Sequence, residues 1–219
     1  MSMRVLVVDD QELFRTGFGM ILDAEPDITV VGEAADGLAA VAQANASAPD
    51  VVVMDVRMPR LDGIAATRRI RSETDAKVLV LTMFELDEYV YDALLAGASG
   101  FMLKDVRREQ LVEAVRVVAA GEALLAPTVT RRLIEDLTKR GQPRPELAKQ
   151  LAALTDRESE TLRHLARGLS NAEIAAALVV SEHTVKTHIS SVLAKLGVRD
   201  RVQAVVFAYE GGLVVPGRT

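Results

Sequence analysis

Five residues in the first half of this 219-residue chain have types and spacing suited to one piece of chemistry: Asp9, Asp10, Asp55, Thr82 and Lys104. Asp9-Asp10 follows the apolar run Val5-Leu6-Val7-Val8, and Asp55 follows Val51-Val52-Val53-Met54. Thr82 closes Lys77–Leu81, and Lys104 stands just after Gly100–Leu103. Short runs rich in β-branched residues read as strands buried on both faces, as in parallel sheets. The carboxyl ends of such strands share one edge, where an open parallel sheet keeps its ligand crevice. Three carboxylates gathered there repel one another and call for a cation. Oxygen-only ligation selects a hard ion such as Mg²⁺, which keeps several waters. A lysine and a hydroxyl opposite that ion complete a cradle for a dianionic group, the layout for phosphoryl transfer onto a carboxylate. The plainer alternative for Asp55 is a residue that turns the chain ahead of Pro59.

The elements that must position these residues alternate regularly. Strands are predicted at Arg4–Val8, Thr29–Ala34, Val51–Asp55, Lys77–Leu81 and Gly100–Leu103, and helices at Glu12–Ala24, from Asp36-Gly37 to Ala46, from Asp62-Gly63 to Arg71, at Asp87–Ala96, and from an Asp105 cap to Ala120. In Glu12–Ala24 the apolar residues Leu13, Phe14, Phe18, Ile21 and Leu22 fall at helical spacing before Pro26-Asp27 breaks it. Five strands alternating with five helices imply a five-stranded parallel, doubly wound, flavodoxin-like sheet with helices on both faces.

Length allows two domains, each with its own core. No apolar run is long enough to span a bilayer and no leader pattern follows Met1, so a soluble, cytoplasmic protein is expected. Without cysteine there is neither a disulfide framework nor a thiolate metal site. The net charge of −5 conceals an asymmetry: residues 1–124 carry 12 Lys/Arg against 21 Asp/Glu, residues 125–219 carry 14 against 10. An acidic module is thus joined to one able to approach phosphates.

The expected division is 1–121, a linker at 122–150, and 151–219. Thr130–Lys139, with Leu133, Ile134 and Leu137 on one side, suits a short amphipathic helix, and Gly141-Gln142-Pro143-Arg144-Pro145 reads as a tether. Beyond it, Thr155-x-x-Glu158 and Ser170-x-x-Glu173 are capping boxes, Ser181 caps a third helix through Leu196, and Asp200 begins a last one through Tyr209. Four short helices, the middle pair joined by the tight turn Leu178-Val179-Val180, suggest an all-α helix-turn-helix domain that places its second member in a DNA major groove. Val202, Val205, Val206 and Tyr209 share one face of the last helix, a face that serves as domain core or as a pairing surface. His164, His183 and His188 lack metal-ligand spacing.

Residues 3–120 resemble a response-regulator receiver domain. The matching motifs are Asp9-Asp10, Asp55 with Met58-Pro59 and Asp62-Gly63, Thr82, Gly97-Ala98, and Phe101-Met102-Leu103-Lys104. Residues 151–213 resemble a LuxR-type DNA-binding domain, through Leu154-Thr155, Arg157-Glu158, Gly168, Ser170-Asn171, Glu173-Ile174-Ala175, Ser181, Thr184-Val185-Lys186, His188 and Lys195-Leu196. Together they point to the NarL/FixJ class. The resemblance implies that Asp55 accepts phosphoryl from a sensor histidine kinase. Mg²⁺ would be held by Asp10, Asp55 and the backbone carbonyl of Arg57, with Asp9 acting through a water. Thr82 and Lys104 would bind the phosphoryl oxygens, and Phe101 would swing inward when Thr82 moves. Lys186, Thr187 and Ser190 would face double-stranded DNA, with His188 and Asn171 beside them, and Arg199 and Arg201 are further phosphate candidates. A homodimer is expected on phosphorylation, with pairing through the Val202, Val205, Val206, Tyr209 face, and RNA polymerase joins the candidate partners. Some relatives have lysine where Ser190 stands, which alters the base read there. Met83 and Phe84, bulky residues after Thr82, are expected to shield an acyl phosphate and lengthen its life.

Three rivals are weaker. An aspartyl-phosphate enzyme would need a catalytic constellation in the second half. A kinase-independent regulator sits poorly with an intact set of five pocket residues. A small-molecule sensor would need an aromatic-lined cavity, and the chain has no tryptophan. The protein is therefore expected to be a regulator and not an enzyme.

Overall fold

The computed structural model describes residues 2–83, 89–121, 124–125 and 145–214. Two compact units divide the chain at Ala126/Pro127. The amphipathic segment 130–139, the tether through Arg144, and Phe84 lie outside the described residues.

The first unit has strands β1 (Met3–Val8), β2 (Ile28–Ala34), β3 (Val51–Asp55), β4 (Lys77–Thr82), β5 (Gly100–Leu103) and β6 (Leu124–Leu125). Its helices are α1 (Glu12–Asp23), α2 (Gly37–Ser47), α3 (Gly63–Glu73), α4 (Val90–Leu95) and α5 (Arg108–Ala119). All pairings are parallel, in the order β2-β1-β3-β4-β5-β6. The five expected strands are present, and a two-residue sixth extends the sheet beyond Gly121, where a linker was expected. Alternation assigns the two faces. Val5, Val7, Val51, Val53, Leu79 and Leu81 pack with Phe18 and Leu22 of α1 and with Leu111, Val115 and Val118 of α5. Leu6, Val52, Met54, Val78 and Val80 between them are equally buried, on the side that carries α2 and α3. Burial on both faces explains why these strands read as unbroken apolar runs. Helix α5 starts two residues later than expected: Arg107 takes the cap position, and its amide donates to the Gln110 side chain.

The second unit contains α6 (Pro145–Leu151), α7 (Asp156–Ala166), α8 (Asn171–Leu178), α9 (Glu182–Leu196) and α10 (Arg201–Glu210). Residues 145–151, all but the last expected within the linker, are helical and pack on α9 and α10, so the domain has five described helices where four were expected. Proline is well placed at a first helical position because the amide it lacks would have no partner there. Both capping boxes form, at Thr155/Glu158 and Ser170/Glu173. Leu162, Leu165, Ile174, Val185, Val192 and Val202 build the core. Glu158 links two elements by accepting from the amide of Thr155 at 2.8 Å and the ammonium of Lys195 at 2.7 Å.

Among the described residues no helix is long and apolar enough to cross a membrane.

Candidate functional sites

Asp9, Asp55, Thr82 and Lys104 all stand at carboxyl ends of β1, β3, β4 and β5, and all are buried. Lys104 is the organising cation. Its Nζ lies 2.7 Å from Asp9 Oδ2 and 3.0 Å from Asp55 Oδ1, with a side chain 1% exposed. It also sits 4.8 Å from the centre of the Phe14 ring, a contact that spacing alone did not suggest. The Lys104 amide donates to the Thr82 carbonyl at 2.8 Å, which ties the two strand ends together.

The two Asp55 oxygens differ. Oδ1 accepts both Lys104 and the Val56 amide, the latter at 2.8 Å, while Oδ2 takes no hydrogen bond from the described residues. Burial pushes the Asp55 carboxyl above its usual range, against the opposing pull of Lys104. Asp9 Oδ1 accepts the Gln11 amide at 3.0 Å. Asp10 is exposed, and ligand oxygens of Asp9, Asp10 and Asp55 lie within 4.8 Å of one another. That donor set, all carboxylate and open on the Asp10 side, fits a hard divalent cation.

Arg57, on the loop after β3, is exposed. Two contacts anchor this loop to the start of α2: Gly37 donates to the Leu61 carbonyl at 3.1 Å, and Arg60 pairs with Asp36, itself the cap of α2. Arg60 adopts a left-handed backbone, φ 65°. A cleft of about 780 Å³ is lined by Val56, Arg57, Met58, Asp62 and Tyr89. A larger one, about 890 Å³, lies at the opposite strand ends by Arg4, Asp50 and Lys77, so the site is marked by its carboxylates and not by cavity size. Phe101 is 1% exposed, and Met83 is 56% exposed.

In the second unit, Lys186, Thr187 and Ser190 occupy one exposed strip of α9. His183 shares that strip one turn earlier, a placement readable from its i, i+3, i+4 relation to Lys186 and Thr187 but not drawn from the sequence. His188 is half-buried and off the strip. Arg201, a phosphate candidate by sequence, instead donates to Asn171 Oδ1 at 2.8 Å and to the Leu169 carbonyl.

One expectation is corrected. Val202, Val205, Val206 and Tyr209 are 0%, 3%, 5% and 8% exposed, and the Tyr209 hydroxyl donates to the Ala166 carbonyl at 2.9 Å. Their face is spent on core, so it does not offer a pairing surface. Amphipathic spacing alone cannot distinguish the two uses.

Residues 5–116 match the response regulator receiver domain and residues 152–208 the bacterial regulatory proteins of the luxR family. The chain belongs to the two-component response regulators that carry a luxR-family DNA-binding domain. It is 43% identical over 214 residues to the uncharacterized transcriptional regulatory protein YxjL of Bacillus subtilis (strain 168), covering 97% of this chain and 98% of that protein. The crystal structure of response regulator ChrA, from a heme-sensing two-component system, is 39% identical with a TM-score of 0.53, over 97% of this chain and 99% of that one. The RcsB–DNA complex is 25% identical with a TM-score of 0.55, over 96% and 99%. These relatives are transcriptional regulators, not enzymes, and this chain is a DNA-binding regulator of the same kind. Its two domains imply a kinase partner and DNA.

Proposed function

We propose that this response regulator is switched by phosphorylation of Asp55. The observation that carries the reading is the asymmetry of that carboxylate: Lys104 and the Val56 amide fix Oδ1, while Oδ2 keeps its lone pairs. Oδ2 attacks the phosphorus of a phosphohistidine on the kinase, an O–P bond forms, the P–N bond breaks, and the leaving imidazole takes a proton. Lys104 and Thr82 receive the phosphoryl oxygens. Asp10, Asp55 and the Arg57 carbonyl would hold Mg²⁺, with Asp9 acting through a water. When bound, the ion neutralises charge on the transferring oxygens.

Phosphorylation then biases a two-state equilibrium by a few kcal/mol through Thr82 and Phe101 toward the α4–β5–α5 face. The output is a homodimer, paired through surface other than the buried face of α10. Its recognition helices α9 read DNA half-sites through Lys186, Thr187 and Ser190, with Asn171 and His188 at the flanks. RNA polymerase is the onward partner, and the cytoplasm is the compartment. That RcsB has been solved on DNA supports the DNA-facing half of this reading.

Intact-mass measurement after incubation with Mg²⁺ and a small acyl-phosphate donor tests the first step. One phosphoryl group is expected on wild type and none on Asp55→Ala; sedimentation of the same samples should show dimer only for the phosphorylated wild type. Equal labelling of Asp55→Ala would place the acceptor elsewhere.

A further inference from the structure

We infer that Phe14 is a positioning residue for the phosphoryl pocket: the face of its ring holds the Lys104 ammonium between Asp9 and Asp55, aimed where the phosphoryl oxygens arrive. The inference rests on the reading of Asp55 as the phosphoacceptor. It adds to that pocket an aromatic residue from α1, outside the strand ends that carry the rest.

A buried ammonium must find other partners for the water it gives up. Lys104 Nζ has Asp9 Oδ2 at 2.7 Å and Asp55 Oδ1 at 3.0 Å, and its side chain is 1% exposed. An ammonium has three donors, one more than those two oxygens engage. The centre of the Phe14 ring stands 4.8 Å from the same nitrogen. The face of an aromatic ring is negative and attracts a cation, most strongly where water is excluded. Unlike a third carboxylate, the ring adds no net charge to oppose an incoming dianion. It therefore holds the cation in place and leaves one of its donors for a transferring oxygen.

The ring is itself held. Phe14 and Phe18 are one turn apart on α1, with ring centres 5.8 Å apart and planes tilted by 34°, and Phe18 is buried in the core. Arg15, the next residue along, donates to the Asp9 carbonyl at 2.9 Å and pairs with Glu33 at 3.4 Å. This turn of α1 is thereby fixed to the strand end that carries Asp9. Phe14 contributes to the pocket through Lys104.

The test is the initial rate of Asp55 phosphorylation in the full-length protein, read by intact mass with Mg²⁺ and a small acyl-phosphate donor, at a temperature where every variant is folded. Position 14 carries phenylalanine with one, two or three ring fluorines, or leucine. Fluorine withdraws electron density from the ring face and leaves its packing nearly unchanged. The rate should fall stepwise across the series and reach about a tenfold loss in Phe14→Leu. The melting midpoint in Mg²⁺ buffer should also fall with each fluorine, and should stay level across the same series in a Lys104→Met background.

Wild-type rates throughout the fluorinated series would overturn the inference, even with a falling midpoint, since the contact would then serve the fold alone. A rate that drops only in Phe14→Leu would overturn it too, by making the ring a packing element, as would a midpoint that falls equally in Lys104→Met. In each of these cases the phosphoacceptor reading stands. If wild type gains no phosphoryl group, or Asp55→Ala gains as much, that reading falls and takes the inference with it.

Discussion

A β-carbon on Gly63 would lie 1.8 Å from the backbone oxygen of Asp55. Helix α3 begins against the strand end that carries the phosphoacceptor, and the Gly63 amide donates to the Val56 carbonyl at 2.8 Å. The residue is glycine here for want of space, since its backbone angles are ordinary for a helix start. Gly63→Ala must displace Asp55 or the start of α3. The expected loss is at least about 2 kcal/mol in a denaturant titration, with a reduced yield of phosphorylated protein.

Lys104 is the counter-ion of Asp9 and Asp55. Lys104→Met leaves two buried carboxylates uncompensated and should cost about 3–5 kcal/mol in metal-free buffer. Mg²⁺ should then raise the melting midpoint more for the variant than for wild type. Equal Mg²⁺ shifts in a thermal melt would mean that lysine and ion do not answer the same charge.

Acid should weaken the helical domain through Glu158. The Lys195 ammonium, and next the Thr155 amide, hold its carboxyl below the ordinary 4.5. A depressed carboxyl pKa stabilises the fold above the unfolded value, and that contribution is lost as pH falls through the folded one. Melts followed by circular dichroism should show the helical transition dropping below about pH 4.5, and Glu158→Gln should flatten that drop.

Val179, in the turn between α8 and α9, is left-handed at φ 57° and 90% exposed. A β-branched residue there costs about 1–2 kcal/mol that glycine avoids. Val179→Gly should therefore raise the midpoint of the helical transition, and a lowered midpoint would show that the exposed isopropyl group stabilises the turn by other means.

Much of this was legible in the sequence because buried parallel strands announce themselves as β-branched runs and end in the residues that do chemistry. Asp9, Asp55, Thr82 and Lys104 could be placed on one edge from that rule alone. The remaining features arise from contacts between segments distant in sequence. Lys104 over Phe14 and Arg201 on Asn171 have no local pattern, and a two-residue strand such as β6 has no periodicity to detect. The start of α6 did carry a signal, Pro145-Glu146, which suits a first helical turn as well as a tether. For Val202, Val205, Val206 and Tyr209, only burial could decide between core and interface.

The central claim is that the state of Asp55 controls DNA binding. Its most direct test is duplex DNA affinity in Mg²⁺ with and without beryllofluoride, for wild type and Asp55→Ala. Beryllofluoride should tighten binding by about tenfold or more in wild type and leave Asp55→Ala unchanged. An unchanged wild-type affinity, or an equal gain in Asp55→Ala, would contradict it.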